Sequence, residues 1–312
     1  MMTIPLITHP DYSFPFPAKH RFPMEKFSLL HRHLIDIGLA NEANTYRPGT
    51  AKPALLELAH CPIYLQQLRD NQLPEKAQRR LGLPWSEGLI KRTFISPNGT
   101  FLTASLALKE GIACHLAGGT HHAHYNEGSG FCAINDLAVA ALGIVAREKA
   151  KGHRPPRILI FDVDVHQGDG TATILANHQE IFTCSVHCDK NFPARKARSH
   201  LDINVNKGCR DDEYLQRVEN AFEQALSLSK PDLVLYDAGV DVYEHDPLGL
   251  LAISIEGIKH RDRHILQRCH SLGLPVATVI GGGYDKDQTA LARRHAIVIQ
   301  QAFEVFTKTL SA

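Results

Sequence analysis

Five runs of strand length are almost continuously apolar: Gly111 to Ala117, Arg157 to Val165, Glu180 to His187, Asp232 to Val240 and Pro275 to Gly281. Such runs, without polar alternation, are those of strands covered on both faces. Apolar positions recur at helical spacing over Ala133 to Lys151, Asp211 to Ser229, Ile255 to Gly273 and Gln288 to Thr309. Buried strands interleaved with amphipathic helices predict an α/β fold, a single-domain three-layer α/β/α arrangement with a mostly parallel central sheet. The punctuation agrees: Asp211-Asp212-Glu213 puts acidic residues at a helix start, and Gly273-Leu274-Pro275 is a stop. The first hundred residues are richer in proline and less periodic, and read as helices and loops around the edge and mouth of the sheet. No repeat or low-complexity linker is seen, so residues 1–312 read as one domain.

The polar residues that break these runs fall at their C-terminal ends. His121 and His122 follow the first run, Asp162, Asp164 and His166 end the second, Asp241 follows the fourth, and Tyr284 follows the fifth behind Gly281, Gly282 and Gly283. That edge of an open α/β sheet is where ligands bind. With the second strand continuing through Val165, alternation sets Asp162, Asp164 and His166 on one face and Val163 and Val165 on the other. Two carboxylates and an imidazole crowded on a buried face call for a cation among them. Asp164 and His166, with Asp241 as the third ligand, leave an open position, the pattern of catalytic Zn²⁺. A site without thiolates also suits Fe²⁺ or Mn²⁺. Taken alone, Asp-x-His reads better as a plain strand-end loop; Asp162, Asp241 and the paired histidines shift the reading to a metal.

Paired histidines of near-neutral pKa suit proton transfer to and from a reacting amide, and Asp162 and Asp169 are the acids available to orient them. A tyrosine after three glycines can enter the mouth of the site and donate to a developing oxyanion. Phe131, after Gly128-Ser129-Gly130, and Phe192 lie on loops at the same edge, as walls of a narrow slot or as core.

Composition changes the picture little. The net charge of +1 gives no reason to expect nucleic-acid binding, and Lys190, Arg195, Lys196 and Arg198 read as a solvated loop. Seven scattered cysteines without a C-x-x-C pair favour a reducing compartment, hence the cytoplasm. Met1 to Pro17 does not have the pattern of a secretory signal, and no apolar run is long enough to predict a membrane span.

The segments GGTHHAHYNEGSGFCAIND, DVDVHQGDG, AGVDVYEHDPLG and GGGY, in this order over roughly residues 100–300, resemble the zinc-dependent histone deacetylase family. The resemblance implies the arginase-deacetylase fold and hydrolysis of an N-acyl-lysine amide, in a protein or peptide, or of a related small acylamide. By position it implies Asp164, His166 and Asp241 as zinc ligands. His121 and His122, backed by Asp162 and Asp169, match the catalytic dyad, and Tyr284 matches the residue that polarises the carbonyl. Gly130, Phe131, Phe192, Leu248, Gly282 and Gly283 match the substrate channel, and Asp162 with Ser185 matches part of a K⁺ site. DDEYLQRV and AGVDVYEHDPLGLLAIS look most like the class IV type, which implies activity on long-chain acyl groups as well as, or instead of, acetyl. Two departures stand out. The short segment between Leu68 and Ser96 places the family's substrate-clamping aspartate on none of Asp70, Glu75 and Glu87, and Lys190 to Ser199 is basic and lacks a glycine-rich turn. Rival readings are an acetylpolyamine deacylase, disfavoured by the apolar Leu248 although Glu244 is near, an arginase-like ureohydrolase needing two metals, and a non-catalytic acyl-lysine-binding module.

Overall fold

The apolar runs become neighbouring strands of one sheet in a computed structural model that describes residues 3–307. Among these residues the strands are β1 (Leu6–Ile7), β2 (Thr45–Tyr46), β3 (Ile112–His115), β4 (Ile158–Asp162), β5 (Ile181–Cys188), β6 (Leu201–Val205), β7 (Leu233–Asp237) and β8 (Val276–Val279). Their order is β2-β1-β3-β8-β7-β4-β5-β6, and every pairing is parallel. The helices are α1 (Lys26–Asp36), α2 (Pro53–Leu56), α3 (Pro62–Arg69), α4 (Glu75–Leu81), α5 (Glu87–Glu110), α6 (Asp136–Ala150), α7 (Asp169–Leu175), α8 (Asp211–Ser229), α9 (Ile255–Ser271) and α10 (Gln288–Thr307). Helix α5 packs on β3 and β8 and against α6, while α8 covers β4, β5 and β6 and leads through α9 and α10 to α1. Because both faces are covered, β3, β4, β7 and β8 are buried at every position, which is why they read as unbroken apolar runs.

Strands β1, β2 and β6 and helices α5 and α7 have no counterpart among the predicted elements, and for β6 and α5 the reason is visible. Strand β6 is an edge strand with four of its five residues only partly covered, so Leu201-Asp202-Ile203-Asn204-Val205 carries no apolar run. Helix α5 buries Arg92, Thr93, Ser96, Thr100 and Thr103 and contains Pro97, so its buried face is not an apolar face. Gly99 lies on that helix where a Cβ would run into the Tyr12 hydroxyl and the His115 ring. The predicted end of the last helix, Thr309, lies outside the described residues.

Candidate active site

In the sheet order, β3, β8, β7 and β4 are consecutive, so the loops leaving their C-terminal ends meet. After β3, Gly118 and Gly119 adopt φ of 86° and 81°, a conformation costly for any residue with a Cβ. The Asp136 carboxylate, in the first turn of α6, accepts hydrogen bonds from the N–H groups of Gly119 (3.2 Å) and Thr120 (2.7 Å). This fixes the turn that delivers His121 and His122, both almost fully buried.

Each histidine has its own carboxylate. His121 Nδ1–H donates to Asp162 at 2.8 Å, His122 Nδ1–H donates to Asp169 at 2.7 Å, and the two Nε2 atoms face each other at 3.2 Å. The rings respond differently to burial. Desolvation would lower His121, but the carboxylates of Asp162 and Asp164 raise it well above its usual value. Desolvation and the neighbouring His121 push His122 down to about 3. Burial would raise Asp169, yet its hydrogen bonds from His122 and His124 hold it well below the usual carboxylate range.

Strand β4 stops at Asp162, so the expected face shared by Asp162, Asp164 and His166 is not formed. Beyond Asp162 the chain turns, and the three residues divide between two groups: His121 with Asp162 and Asp237, and Asp164 with His166 and Asp241. Within each group the potential ligand atoms lie within 4.8 Å of one another. In the second, His166 Nδ1 is 3.0 Å from Asp164 and 3.1 Å from Asp241. Main-chain N–H groups of Gly282 and Val165 donate to the two carboxylates at 2.7 and 2.8 Å, which fixes their orientation. Burial and the nearby Asp164 raise Asp241 to about 6, the response of a carboxylate short of positive charge. Oxygen and imidazole donors in this arrangement fit a divalent cation. Of the two groups, the one with His166 opens to the cavity, as a catalytic metal requires.

That cavity has a volume of about 580 Å³ and includes His122, Gly130, Phe131, Phe192, Leu248 and Tyr284 in its wall. An adjoining chamber of about 30 Å³ reaches His121, Asp164, Gly281, Gly282 and Tyr284. Phe131 stands 6.0 Å from the Tyr284 ring and Phe192 meets His122 edge-on at 4.8 Å, so both phenylalanines are wall and not merely core. A Cβ on Gly130 would come 2.7 Å from the His122 ring. Burial, with Asp241 and Asp164 nearby, raises the Tyr284 phenol well above its usual value and keeps it a neutral donor. Gly283 lies directly before it, where a Cβ would meet Val240 and His295. Ser185 is beside Asp162 in strand register, with its hydroxyl 2.9 Å from His187 Nδ1. Asp70, Glu75 and Glu87 do not line the cavity, and neither does Glu244.

Several supporting residues escaped sequence reasoning. Asp246 accepts from the N–H groups of Tyr284 (2.7 Å), Leu248 (2.9 Å) and Gly249 (3.0 Å), tying the tyrosine loop to the Asp241 loop. Buried Arg261 donates to the Gly239 carbonyl at 2.8 Å and pairs with Asp262, bracing the turn before Asp241. Lys26 donates to the carbonyls of Gly281 and Gly283 at 3.4 and 3.3 Å. Asp237 is fully buried, and neither carboxylate oxygen has a hydrogen-bond partner; the nearer one is 3.9 Å from His121 Nδ1. Its only sequence signal is an acidic residue ending an apolar strand.

Residues 20–300 match the model of the histone deacetylase domain. The chain is 48% identical to an uncharacterized protein of Picosynechococcus sp. over 98% of its own length and all of that protein. It is 30% identical to histone deacetylase 2 of Arabidopsis thaliana over 88% of this chain and 73% of that protein. A solved structure of an HDAC homolog complexed with SAHA shares the fold, with a TM-score of 0.78 at 24% identity over 99% of this chain and 92% of that one.

Proposed function

Because the chain belongs to the histone deacetylase family, whose members are metal-dependent hydrolases, we propose that it removes acyl groups from the lysine side chains of proteins or peptides. The observation that carries the reading is that His166 of the divalent-cation ligand set, His122 and Tyr284 line one cavity, with Asp164 and His121 in the adjoining chamber, each histidine of the pair oriented by its own carboxylate and the tyrosine neutral. The whole span, 1–312, is taken as one catalytic domain. Seven free cysteines support a reducing, cytoplasmic setting. No helix among the described residues is long and apolar enough to cross a membrane.

Asp164, His166 and Asp241 would hold the metal, zinc by family and Fe²⁺ by donor type. When bound, it would supply Lewis-acid polarisation of the acyl carbonyl and lower the pKa of water. Phe131 and Phe192 guide the aliphatic stem of the lysine, with Leu248 at the rim and Gly130 leaving room for His122. Gly282 lets the chain pass close to the ligand carboxylates, and Gly283 packs against Val240 and His295 directly before Tyr284. His122, kept neutral by burial, accepts a proton at Nε2 as water attacks the amide. Tyr284 donates to the oxygen on which negative charge develops. The histidine pair then returns a proton to the departing amine, and Asp162 and Asp169 hold the two rings in place throughout. The register of Ser185 beside Asp162 supports a K⁺ ion there. The chamber beside the ligand set is small, about 30 Å³. That supports acetyl as the preferred group, whereas the class IV likeness implies long acyl chains as well as, or instead of, acetyl.

The test is turnover of matched lysine peptides carrying acetyl, octanoyl and myristoyl groups, by Zn²⁺- and Fe²⁺-loaded protein, with His122→Ala as control. Acetyl hydrolysis that vanishes in the control is expected. Preference for myristoyl would refute the chain-length reading alone, and no turnover of any peptide would refute the deacylase.

A further inference from the structure

The mouth of the cavity is lined by four arginines, Arg21, Arg79, Arg80 and Arg195, and by a single acidic residue, Asp169, which His122 and His124 already engage. All four arginines are exposed. They come from three separate stretches of chain: the segment before α1, the last turn of α4, and the loop after β5. These stretches are fastened to the channel wall. Gly130 and Phe131 donate through their N–H groups to the carbonyls of Arg80 and Leu81 at 3.3 and 2.9 Å. His20, adjacent to Arg21, makes a 2.9 Å hydrogen bond to the Gly82 carbonyl, and a Cβ on Gly82 would come 3.1 Å from Phe131. After β5, Lys196 donates to the carbonyls of Asn191 (2.5 Å) and Pro193 (2.8 Å), closing the loop that carries Phe192 and Arg195. The basic loop is therefore more than a solvated one, since Arg195 is presented at the channel mouth.

Two of these guanidiniums are engaged, Arg79 with Glu75 and Arg80 with Glu127. Arg21 and Arg195 have no carboxylate partner among the described residues. An uncompensated positive rim raises the local concentration of anionic ligands and repels cationic ones. A guanidinium also offers a carboxylate two parallel N–H donors, which an ammonium cannot. We propose that the rim selects acyl-lysine segments flanked by aspartate or glutamate, with Arg21 and Arg195, from separate stretches of the chain, receiving carboxylates. The inference rests on the lysine-deacylase reading and names its substrate class. It also turns acetylpolyamines into poor substrates, because their free ammonium groups would have to sit among the arginines.

The experiment compares kcat/KM for acetyl-lysine peptides flanked by Glu-Glu, Ser-Ser or Lys-Lys, on zinc-loaded full chain. The Glu-flanked peptide is expected to exceed the Lys-flanked one by ~10-fold or more at about 0.1 M salt. The ratio should fall towards one near 1 M, where the screening length shrinks from ~10 to ~3 Å. In Arg21→Glu/Arg195→Glu the ratio should invert. Equal turnover of all three peptides would overturn the rim while leaving the deacylase intact. If no peptide is turned over, fluorescence anisotropy of the same peptides still decides. Tighter binding of the Glu-flanked one keeps the rim and refutes the deacylase, whereas equal binding refutes the rim as well. Competition by single-stranded RNA at lower concentration than the Glu-flanked peptide would overturn the assignment in favour of nucleic acid.

Discussion

The Tyr284 phenol does one thing that its ring alone cannot, and removing only the oxygen isolates it. Loss of a comparable oxyanion donor typically costs ~2.7–4 kcal/mol, so Tyr284→Phe should lower kcat roughly a hundredfold or more, with the bound metal content unchanged. Steady-state kinetics beside metal analysis checks both halves. Gly282 is the converse case, where adding an atom does the damage. A Cβ there would land on the carboxylates of Asp241 and Asp164. Gly282→Ala should therefore lose metal while the sheet stays folded, seen as metal content falling well below one ion per chain with circular dichroism unaltered. The residues that meet at the site were legible because the candidate ligands, the paired histidines and the tyrosine each sit beside glycines or strand ends that mark them. Asp237, Asp246 and Arg261 were not, because their roles depend on what faces them across the sheet or between loops.

At the scale of elements, the site depends on how α6 and the dyad loop are clamped together. His60 does the clamping: its Nε2 accepts from the Asn135 N–H at 2.9 Å and its Nδ1–H donates to the His124 carbonyl at 3.0 Å. Burial lowers His60 to about 4, with its hydrogen bonds to the backbone only partly opposing. The unfolded chain binds this proton below its usual value of 6.5 while the folded chain refuses it, so stability falls as pH drops through that window. His60 alone should cost about 2 kcal/mol between neutrality and pH ~5, read as a shift in urea midpoint. His115 adds to it in the same direction, since burial also lowers it to about 4. The four long predicted helices begin close to where expected, and the three whose ends are described end there too, because amphipathic periodicity and end signals are local properties. Strand β4 ended three residues early and α5 went unread. Where a strand stops depends on the pairing it finds, and a helix buried through threonine, serine and arginine has no apolar stripe to detect.

Over the whole molecule, the metal should act as a staple between the ends of β4 and β7, because Asp164 and His166 leave one and Asp241 the other. A ligand at a hundred times its dissociation constant contributes ~2.7 kcal/mol to folding. Chelation should therefore lower the thermal midpoint by several degrees, restored by zinc in the parent chain and not in Asp164→Asn. Metal analysis should find one tightly held divalent ion per chain, and two would bring the group of His121, Asp162 and Asp237 into play. The sequence alone determined the parallel α/β architecture, the edge at which polar residues gather and most of the residues gathered there. Those follow from periodicity, from glycine-marked turns and from ligand types at short spacing, all properties of neighbours along the chain. Only the tertiary structure decided which acid partners which histidine, that Asp162 stands with His121 apart from Asp164 and His166, that an orphaned Asp237 faces His121, and that arginines from three distant stretches surround one opening. Each of these is a distance between residues far apart in the chain, set by strand order and loop packing and invisible to any local pattern.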